Sequence, residues 1–262
     1  MPMTTIFDGL TDANLRAKPF PHVLSTGVVP DTILKELQAS IPWEVLREDP
    51  AIANPNSRVN LPAHRALADR RVPTLWRSVL LSNSSPQAYH AAMRVFIPHI
   101  IHYYPTQSHV LCSLPQDRIG RRGVDDFSHC DVLMEAQLAI NSPVVGAPSS
   151  IRGVHVDNPR KLFSALFYLR LAGDDTPGGD LELHRFHGRP GGFVVETVLH
   201  ATTIRQLVIP YASNTLVVFV NTVRALHSVS PRHPGVWPRV FLNVIAEVKS
   251  PLYDIRPFRV KA

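Results

Sequence analysis

Three side chains in the second half of the chain have the types and spacing of a metal site. His155 and Asp157 are separated by one residue, and His227 follows much later in the sequence. Residues two apart on an extended strand point to the same side, so His155 and Asp157 can reach one ion together. Two imidazoles and one carboxylate bind one face of an octahedral ion, as in non-heme Fe(II) sites. The pattern predicts an iron site to which a neighbouring strand delivers His227.

Each of these residues also has an interpretation without a metal. Asp157, Asn158 and Pro159 are favourable turn residues, and His227 is equally consistent with a hydrogen-bonded core histidine. The chain contains 13 histidines, so a single His-x-Asp pair arises easily by chance. The neighbouring segments therefore decide between the interpretations.

The surrounding segments have the patterns of β-strands. An apolar run at 161–169 predicts a buried strand, the glycine-rich stretch at 173–179 a turn, and the alternating residues at 180–183 a return strand. Together they predict a hairpin that leads away from the metal. Another apolar run at 214–220 predicts the strand ahead of the second histidine, and 239–248 predicts the last strand.

The last strand has two different faces. One face carries apolar side chains, namely Val240, Leu242, Val244 and Ala246, and the other carries Arg239, Phe241, Asn243 and Ile245. A guanidinium binds a carboxylate through two charge-assisted hydrogen bonds. Arg239 on an interior strand therefore indicates a bound anion. The alternative is that Arg239 stands at the start of the strand with its guanidinium in water.

The motifs together resemble the 2-oxoglutarate/Fe(II)-dependent dioxygenases, in particular the prolyl-hydroxylase-like branch. The resemblance covers about residues 132–249 and is carried by five segments: His155-Val156-Asp157-Asn158-Pro159, Tyr168-Leu169, Gly178-Gly179-Asp180-Leu181, His227-Ser228-Val229 and Arg239-Val240-Phe241-Leu242-Asn243. It implies a mainly β fold with flanking helices and a double-stranded β-helix core, which is a jelly-roll, cupin-like architecture. We expect one oxygenase domain over 1–262, with a helical brace and loop extension at 1–130 and the catalytic core at 131–250.

The resemblance also implies roles for individual residues. The expected iron ligands are His155, Asp157 and His227. Arg239 would pair with the distal carboxylate of 2-oxoglutarate, and Tyr168 would hydrogen-bond the same group. Arg239 follows the second histidine at a greater distance than in many relatives, so Arg232 is an alternative anion-binding residue. The implied cofactors are Fe(II), 2-oxoglutarate as cosubstrate, and O2.

The expected reaction couples oxidative decarboxylation of 2-oxoglutarate to succinate with hydroxylation or a related C-H oxidation of a small molecule. Related halogenases have a small residue at the position of Asp157, so a carboxylate there favours hydroxylation, desaturation or cyclisation. We expect an amino acid or natural-product intermediate, free or carrier-bound, as substrate. Candidate substrate-binding residues are Arg152, Gln137 and Asn141, with ordinary strand and loop polarity as the alternative. Other candidate functions are a non-catalytic cupin-like barrel that binds a metal or ligand, and a hydroxylase of a protein or carrier-bound substrate.

The first 130 residues have a different pattern. Helical spacing after Asp31 predicts one helix, and 74–81 and 86–104 predict two more, the last capped by Ser85 and disturbed at Pro98. The stretch 106–128 is rich in charge, glycine and proline, and we expect a long loop that acts as a lid over the iron.

Charge and composition limit the classes of partner and compartment. The net charge of +6 comes from dispersed basic residues without interleaved aromatic motifs. This favours solvated faces, an anionic small molecule or an acidic carrier protein with a tethered substrate over nucleic acid. Cys112 and Cys130 fit neither a zinc spacing nor a disulfide framework. The first residues lack the pattern of a signal peptide, and no apolar run reaches the length of a membrane span. We expect a cytoplasmic protein without a membrane partner.

Overall fold

The computed structural model describes residues 5–103 and 118–259. The strands of this part of the chain are β1 (Leu15–Arg16), β2 (His22–Thr26), β3 (Arg58–Pro62), β4 (Ile119–Arg121), β5 (Val132–Asn141), β6 (Lys161–Tyr168), β7 (Leu181–Phe186), β8 (Phe193–Val194), β9 (Thr197–Val198), β10 (Thr203–Ile209), β11 (Thr215–Val220), β12 (His227–Val229) and β13 (Arg239–Val248). The α-helices are α1 (Asp31–Ala39), α2 (Trp43–Leu46), α3 (Ala63–Ala68), α4 (Thr74–Asn83) and α5 (Pro86–Tyr103).

Two sheets form the centre of the fold. The large sheet has the order β1-β2-β11-β6-β13-β5-β3, with β4 parallel to β5, and the small sheet has the order β10-β7-β12. The backbone of His155 extends the small sheet by exchanging two hydrogen bonds with His227, at 3.0 and 2.9 Å.

The chain alternates between the sheets in a regular way. It runs from β5 in the large sheet to His155 in the small one, then to β6 in the large, β7 and β10 in the small, β11 in the large, β12 in the small and β13 in the large. This order is that of a double-stranded β-helix. The fold class predicted from the sequence is therefore confirmed.

The two faces of the large sheet have different neighbours. Its outer face packs on the helices in one apolar cluster, which contains Leu37, Trp76 and Phe96 together with Val240 and Leu242 of β13. Its inner face turns to the small sheet and forms a second cluster around Tyr168, Phe219 and Phe241. The alternation predicted for the last strand is thus observed, and its arginine-bearing face lies between the sheets.

The N-terminal region contributes strands as well as helices. Helices are observed where the sequence predicts them, and Ser85 Oγ accepts a hydrogen bond from the Ala88 amide at 3.2 Å. In addition, β1, β2 and β3 extend the two edges of the large sheet. Of the expected loop at 106–128, residues 106–117 lie outside the described residues, and β4 occupies part of the remainder. Among the described helices, none combines the length and apolar character needed to cross a bilayer.

The hairpin predicted for 161–169 and 180–183 is wrong. Strand β6 pairs with β11 and β13 in the large sheet, whereas β7 pairs with β10 and β12 in the small sheet. The connection crosses between the sheets and is held there by the buried ion pair of Asp174 with Arg232, at 2.8 Å. Two apolar strands with a glycine-rich turn between them have the same local pattern in both arrangements, so the sequence does not identify the partner strands.

Candidate active site

His155, Asp157 and His227 converge at one point between the sheets. One candidate ligand atom from each residue lies within 4.8 Å of those of the other two, and the two imidazole rings are 4.2 Å apart between centroids. His155 and His227 face each other across paired backbone segments, which directs both side chains to the same side. The structure therefore brings together the metal-binding set expected from the sequence.

Backbone carbonyls fix the tautomer of both histidines. Nδ1–H of His155 donates to the carbonyl of Gly153 at 2.7 Å, and Nδ1–H of His227 donates to that of Ala225 at 3.0 Å. Nε2 is then the unprotonated atom of each ring, as a metal ligand requires. Burial, reinforced by the charge of neighbouring groups, lowers the pKa of His155 to about 2, and burial lowers the pKa of His227. Both rings are therefore neutral.

Asp157 is held in place by two hydrogen bonds, one to its carboxylate and one to its backbone carbonyl. Its Oδ2 accepts a hydrogen bond of 2.6 Å from Ser164 Oγ, which itself accepts one from Asn221 Nδ2. Its backbone carbonyl accepts a hydrogen bond from the hydroxyl of Tyr253. Burial opposes ionisation, but the charge of the nearby Lys161 and the Ser164 hydrogen bond outweigh it and lower the pKa of Asp157. The carboxylate is therefore ionised and restrained, with Oδ1 left for an ion.

Replacing Ser164 by alanine is expected to weaken Fe(II) binding about 10- to 100-fold, as is typical when a group that orients a metal ligand is lost. The hydroxyl fixes Asp157 Oδ2, so its removal lets the carboxylate rotate. Competition with a chelator measures the dissociation constant. Ser82→Ala on α4 is the control, because that hydroxyl bonds only carbonyls of its own helix. Equal Fe(II) affinities of the two variants would contradict the orienting role of Ser164.

A buried anion-binding arrangement lies beside the candidate metal ligands. Arg239 is 1% exposed, and its guanidinium carbon lies 4.8 to 5.0 Å from the ring centroids of Tyr168, Tyr211 and Phe241. Its Nε donates to the carbonyl of Gly179 at 2.8 Å. Arg239 Nη2 and the Tyr168 hydroxyl are buried without a hydrogen-bond partner among the described residues. Unpaired buried donors are costly, so this pair suits an incoming carboxylate.

Arg232 has a different environment. Its Nη2 donates to both carboxylate oxygens of Asp174, at 2.9 and 2.8 Å, and to the carbonyl of Trp237 at 3.3 Å. Arg239 lines the cavity that contains the candidate metal ligands, and Arg232 does not. Of the two arginines considered from the sequence, the geometry favours Arg239 as the residue that meets a ligand.

The Gly178-Gly179 turn brings the backbone close to both arginines. Gly178 and Gly179 have φ of +81° and +84°, a conformation that is strained for other residues. A Cβ on Gly178 would lie 2.0 Å from the carbonyl oxygen of Pro231. The two glycines therefore allow the Gly179 carbonyl to reach Arg239.

One cavity of about 140 Å³ joins the candidate metal ligands to Arg239. Arg152, a substrate candidate from the sequence, lines it, whereas Gln137 and Asn141 do not. Asn141 contacts a residue that lines the cavity, because its Oδ1 accepts a hydrogen bond of 2.9 Å from Nε of Arg58. Gln137 lies opposite Asn243 on β13.

Sequence reasoning missed several residues of this cavity, including Arg58, Lys161 and Ser164. Ser164 lies on the same face of β6 as Tyr168, so the two-residue period would have indicated it. Arg58 comes from a distant segment in a region expected to be helical, and no local signal marks it.

No protein-family model matches the sequence, and no curated relative matches it either. Among solved structures, the protein is similar to a prolyl-4-hydroxylase from Pseudomonas putida, with 17% identity over 87% of this chain and 93% of that chain, and a TM-score of 0.41. It is similar to a prolyl 4-hydroxylase from Phytophthora capsici, with 16% identity over 93% of this chain and 62% of that chain, and a TM-score of 0.46. A third similar structure is a non-heme alpha-ketoglutarate-dependent carbocyclase from nogalamycin biosynthesis, with 13% identity over 87% of this chain and 79% of that chain, and a TM-score of 0.48.

This chain thus matches less than two thirds of the Phytophthora capsici chain. The observed class is a double-stranded β-helix that carries a cluster of two histidines and one carboxylate.

Proposed function

We propose that the protein is a 2-oxoglutarate- and Fe(II)-dependent dioxygenase. One observation carries the proposal: a single cavity contains both the His155, Asp157 and His227 cluster and the buried Arg239 with unpaired hydrogen-bonding capacity. An anion with a chelating keto acid at one end and a carboxylate at the other satisfies both parts. 2-Oxoglutarate has this chemistry.

Each group of residues has a distinct task in the proposed reaction. His155, His227 and Asp157 would hold Fe(II), and Arg239 with Tyr168 would hold the distal carboxylate of the cosubstrate. Bound Fe(II) would supply the activation of O2 that splits 2-oxoglutarate into succinate and CO2, with one oxygen atom entering succinate and the other the substrate. Apolar side chains that line the cavity, namely Leu166, Leu181, Phe219 and Phe241, exclude water from this site.

The proposed outcome is hydroxylation or a related C-H oxidation of a small molecule, such as an amino acid or natural-product intermediate. The cavity volume of about 140 Å³ favours a small reacting group, whether it is free or carried by a larger partner. Asp157 supplies a carboxylate, so there is no vacant ligand position of the kind a halide needs. A barrel that binds only a metal would not need the unpaired donors of Arg239 and Tyr168, which favours the enzyme over that alternative.

The test uses the full chain loaded anaerobically with Fe(II). Addition of 2-oxoglutarate is expected to produce a weak visible charge-transfer band, and protein loaded with Zn(II), which has a filled d shell, should show none. Admission of O2 should then release succinate and CO2 in equal amounts. A protein that binds Fe(II) but gives neither band nor succinate would be a metal-binding barrel, and the proposed function would be rejected.

A further inference from the structure

The cavity carries more positive charge than the proposed cofactors need. Four cationic side chains line it, namely Arg58, Arg152, Lys161 and Arg239, against one carboxylate, that of Asp157. Fe(II) and dianionic 2-oxoglutarate have equal and opposite charges, so their binding leaves this excess unchanged. Cations that face one another in a cavity with apolar walls repel, because the low local dielectric strengthens charge interactions. The excess therefore indicates a further anion.

The cations are arranged by depth. Arg239 is almost fully buried, whereas the side chains of Arg152 and Lys161 are 42% and 25% exposed and Arg58 is also exposed. Arg152 and Lys161 approach Oδ1 of Asp157 at 3.9 and 3.5 Å, which are distances beyond good hydrogen bonds. If Asp157 ligates Fe(II), its charge is shared with the ion and neutralises these two cations only weakly.

Arg58 is a cation of this cavity with few polar partners in the protein. Within the described part of the chain its side chain donates one hydrogen bond, to Asn141, and forms no ion pair. Arg58 and Arg239 flank Asn141 on the neighbouring strands β3 and β13, and both guanidinium groups lie within 4.9 Å of the ring centroid of Phe241. Although part of Arg58 is exposed to solvent, desolvation of its guanidinium by the surrounding atoms and then the charge of Arg239 lower its pKa to about 10. Two guanidinium groups thus contact the same aromatic ring, and neither forms an ion pair with a carboxylate among the described residues.

We propose that the substrate is itself an anion, a small molecule with a carboxylate or phosphate group, and that Arg58, Arg152 and Lys161 bind this group at the mouth of the cavity. The inference rests on the proposed function, since it assigns Arg239 to 2-oxoglutarate and the outer cations to the substrate. Carboxylate and phosphate share the acceptor oxygens that guanidinium groups bind through paired hydrogen bonds. The dispersed net charge of +6 also favours the approach of an anion.

Matched aromatic probes test this site without turnover. Protein loaded with Zn(II) and saturated with 2-oxoglutarate is titrated with benzoate, phenyl phosphate and the neutral benzamide, and binding is followed by ligand-observed NMR. At least one of the two anions should bind at least tenfold more tightly than benzamide. The benzoate and phenyl phosphate titrations distinguish a carboxylate site from a phosphate site.

Charge-removing variants locate the site. Arg58→Gln and Arg152→Gln should each weaken binding of the preferred anion about three- to tenfold, a loss typical of a partly exposed charged hydrogen bond, and the double variant should weaken it further. The affinity for 2-oxoglutarate should change less than twofold. Arg70→Gln, which removes an exposed charge outside the cavity, is the matched control and should bind like the parent.

The outcomes separate this inference from the proposed function. Equal binding of benzamide and both anions, or parental anion binding by the double variant, would overturn the anionic substrate. Weaker 2-oxoglutarate binding in Arg58→Gln, with anion binding unchanged, would also overturn it and assign Arg58 to the cosubstrate. Absence of 2-oxoglutarate binding in the parent protein would instead reject the proposed function.

Discussion

Replacement of His227 by alanine is expected to abolish both the 2-oxoglutarate-dependent visible band and succinate release, while the protein remains folded. His227 supplies one of three candidate ligands, and its Nδ1 is already committed to the carbonyl of Ala225. Its ring also contacts those of His155 and Phe219, so some loss of thermal stability should accompany the change. Iron content, absorption and succinate measure the first effect, and circular dichroism measures folding.

A buried histidine outside the cavity provides the matched control. His184 lies on β7 and is buried, with its Nε2 in a hydrogen bond of 2.8 Å to Ser228 Oγ. His184→Ala should keep the band and the succinate release in proportion to the folded protein. If both histidine variants retained turnover, the assignment of His227 to the metal would be wrong.

Asp157 allows the same test through its carboxylate. Asp157→Gly should end hydroxylation because a charged ligand is lost, whereas Asp157→Glu should retain a trace, since the carboxylate survives one methylene further out. We do not expect the glycine variant to incorporate chloride, because a halide also needs neighbouring donors. Product analysis with and without chloride checks this result. If the glycine variant bound iron and hydroxylated at near the parental rate, Asp157 would be a turn residue and not a metal ligand.

Local periodicity explains which parts of the site could be predicted from the sequence. The two-residue period of a strand places His155 with Asp157 and separates Arg239 from Val240 on β13. Such rules act within one segment. They give the inward face of the last strand and the closeness of His155 to Asp157, because each of these depends only on neighbours in the sequence.

Contacts between distant segments determine those parts of the fold and of the candidate site that the sequence does not predict. Arg58 reaches the cavity only because β3 pairs with the far side of β5, and Asn221 supports Ser164 only because β11 lies beside β6. The incorrect hairpin has the same origin, since the pattern of β6 does not specify which strands flank it. The preference for Arg239 over Arg232 as the proposed anion-binding residue also rests on a distant residue, because Asp174 pairs with Arg232.

Arg239→Ala is expected to raise the KM for 2-oxoglutarate by about one to three decades. Loss of one partner from a buried charge pair costs roughly 2–5 kcal/mol, and tenfold in affinity corresponds to about 1.4 kcal/mol. The guanidinium is almost fully buried beside the unpaired hydroxyl of Tyr168. In the alanine variant, water is therefore a poor substitute for the guanidinium as the partner of the 2-oxoglutarate carboxylate. Steady-state kinetics at saturating O2 and substrate measure the change, and Arg239→Lys should recover part of the affinity because a charge returns without the planar fork.

Arg232→Ala should show the opposite pattern. This change removes the 2.8 Å partner of the buried Asp174 and leaves only the longer contact of 3.6 Å with Arg170. The free energy of unfolding should therefore fall, by at most the roughly 3–5 kcal/mol that a fully unpaired buried charge costs, whereas the KM of the folded fraction should stay near the parental value. Tyr168→Phe completes the comparison: its hydroxyl has no hydrogen bond to lose, so stability should be maintained while the KM rises severalfold. Chemical denaturation and kinetics on the same preparations separate binding from folding. A larger rise in KM for Arg232→Ala than for Arg239→Ala would move the cosubstrate anchor to Arg232.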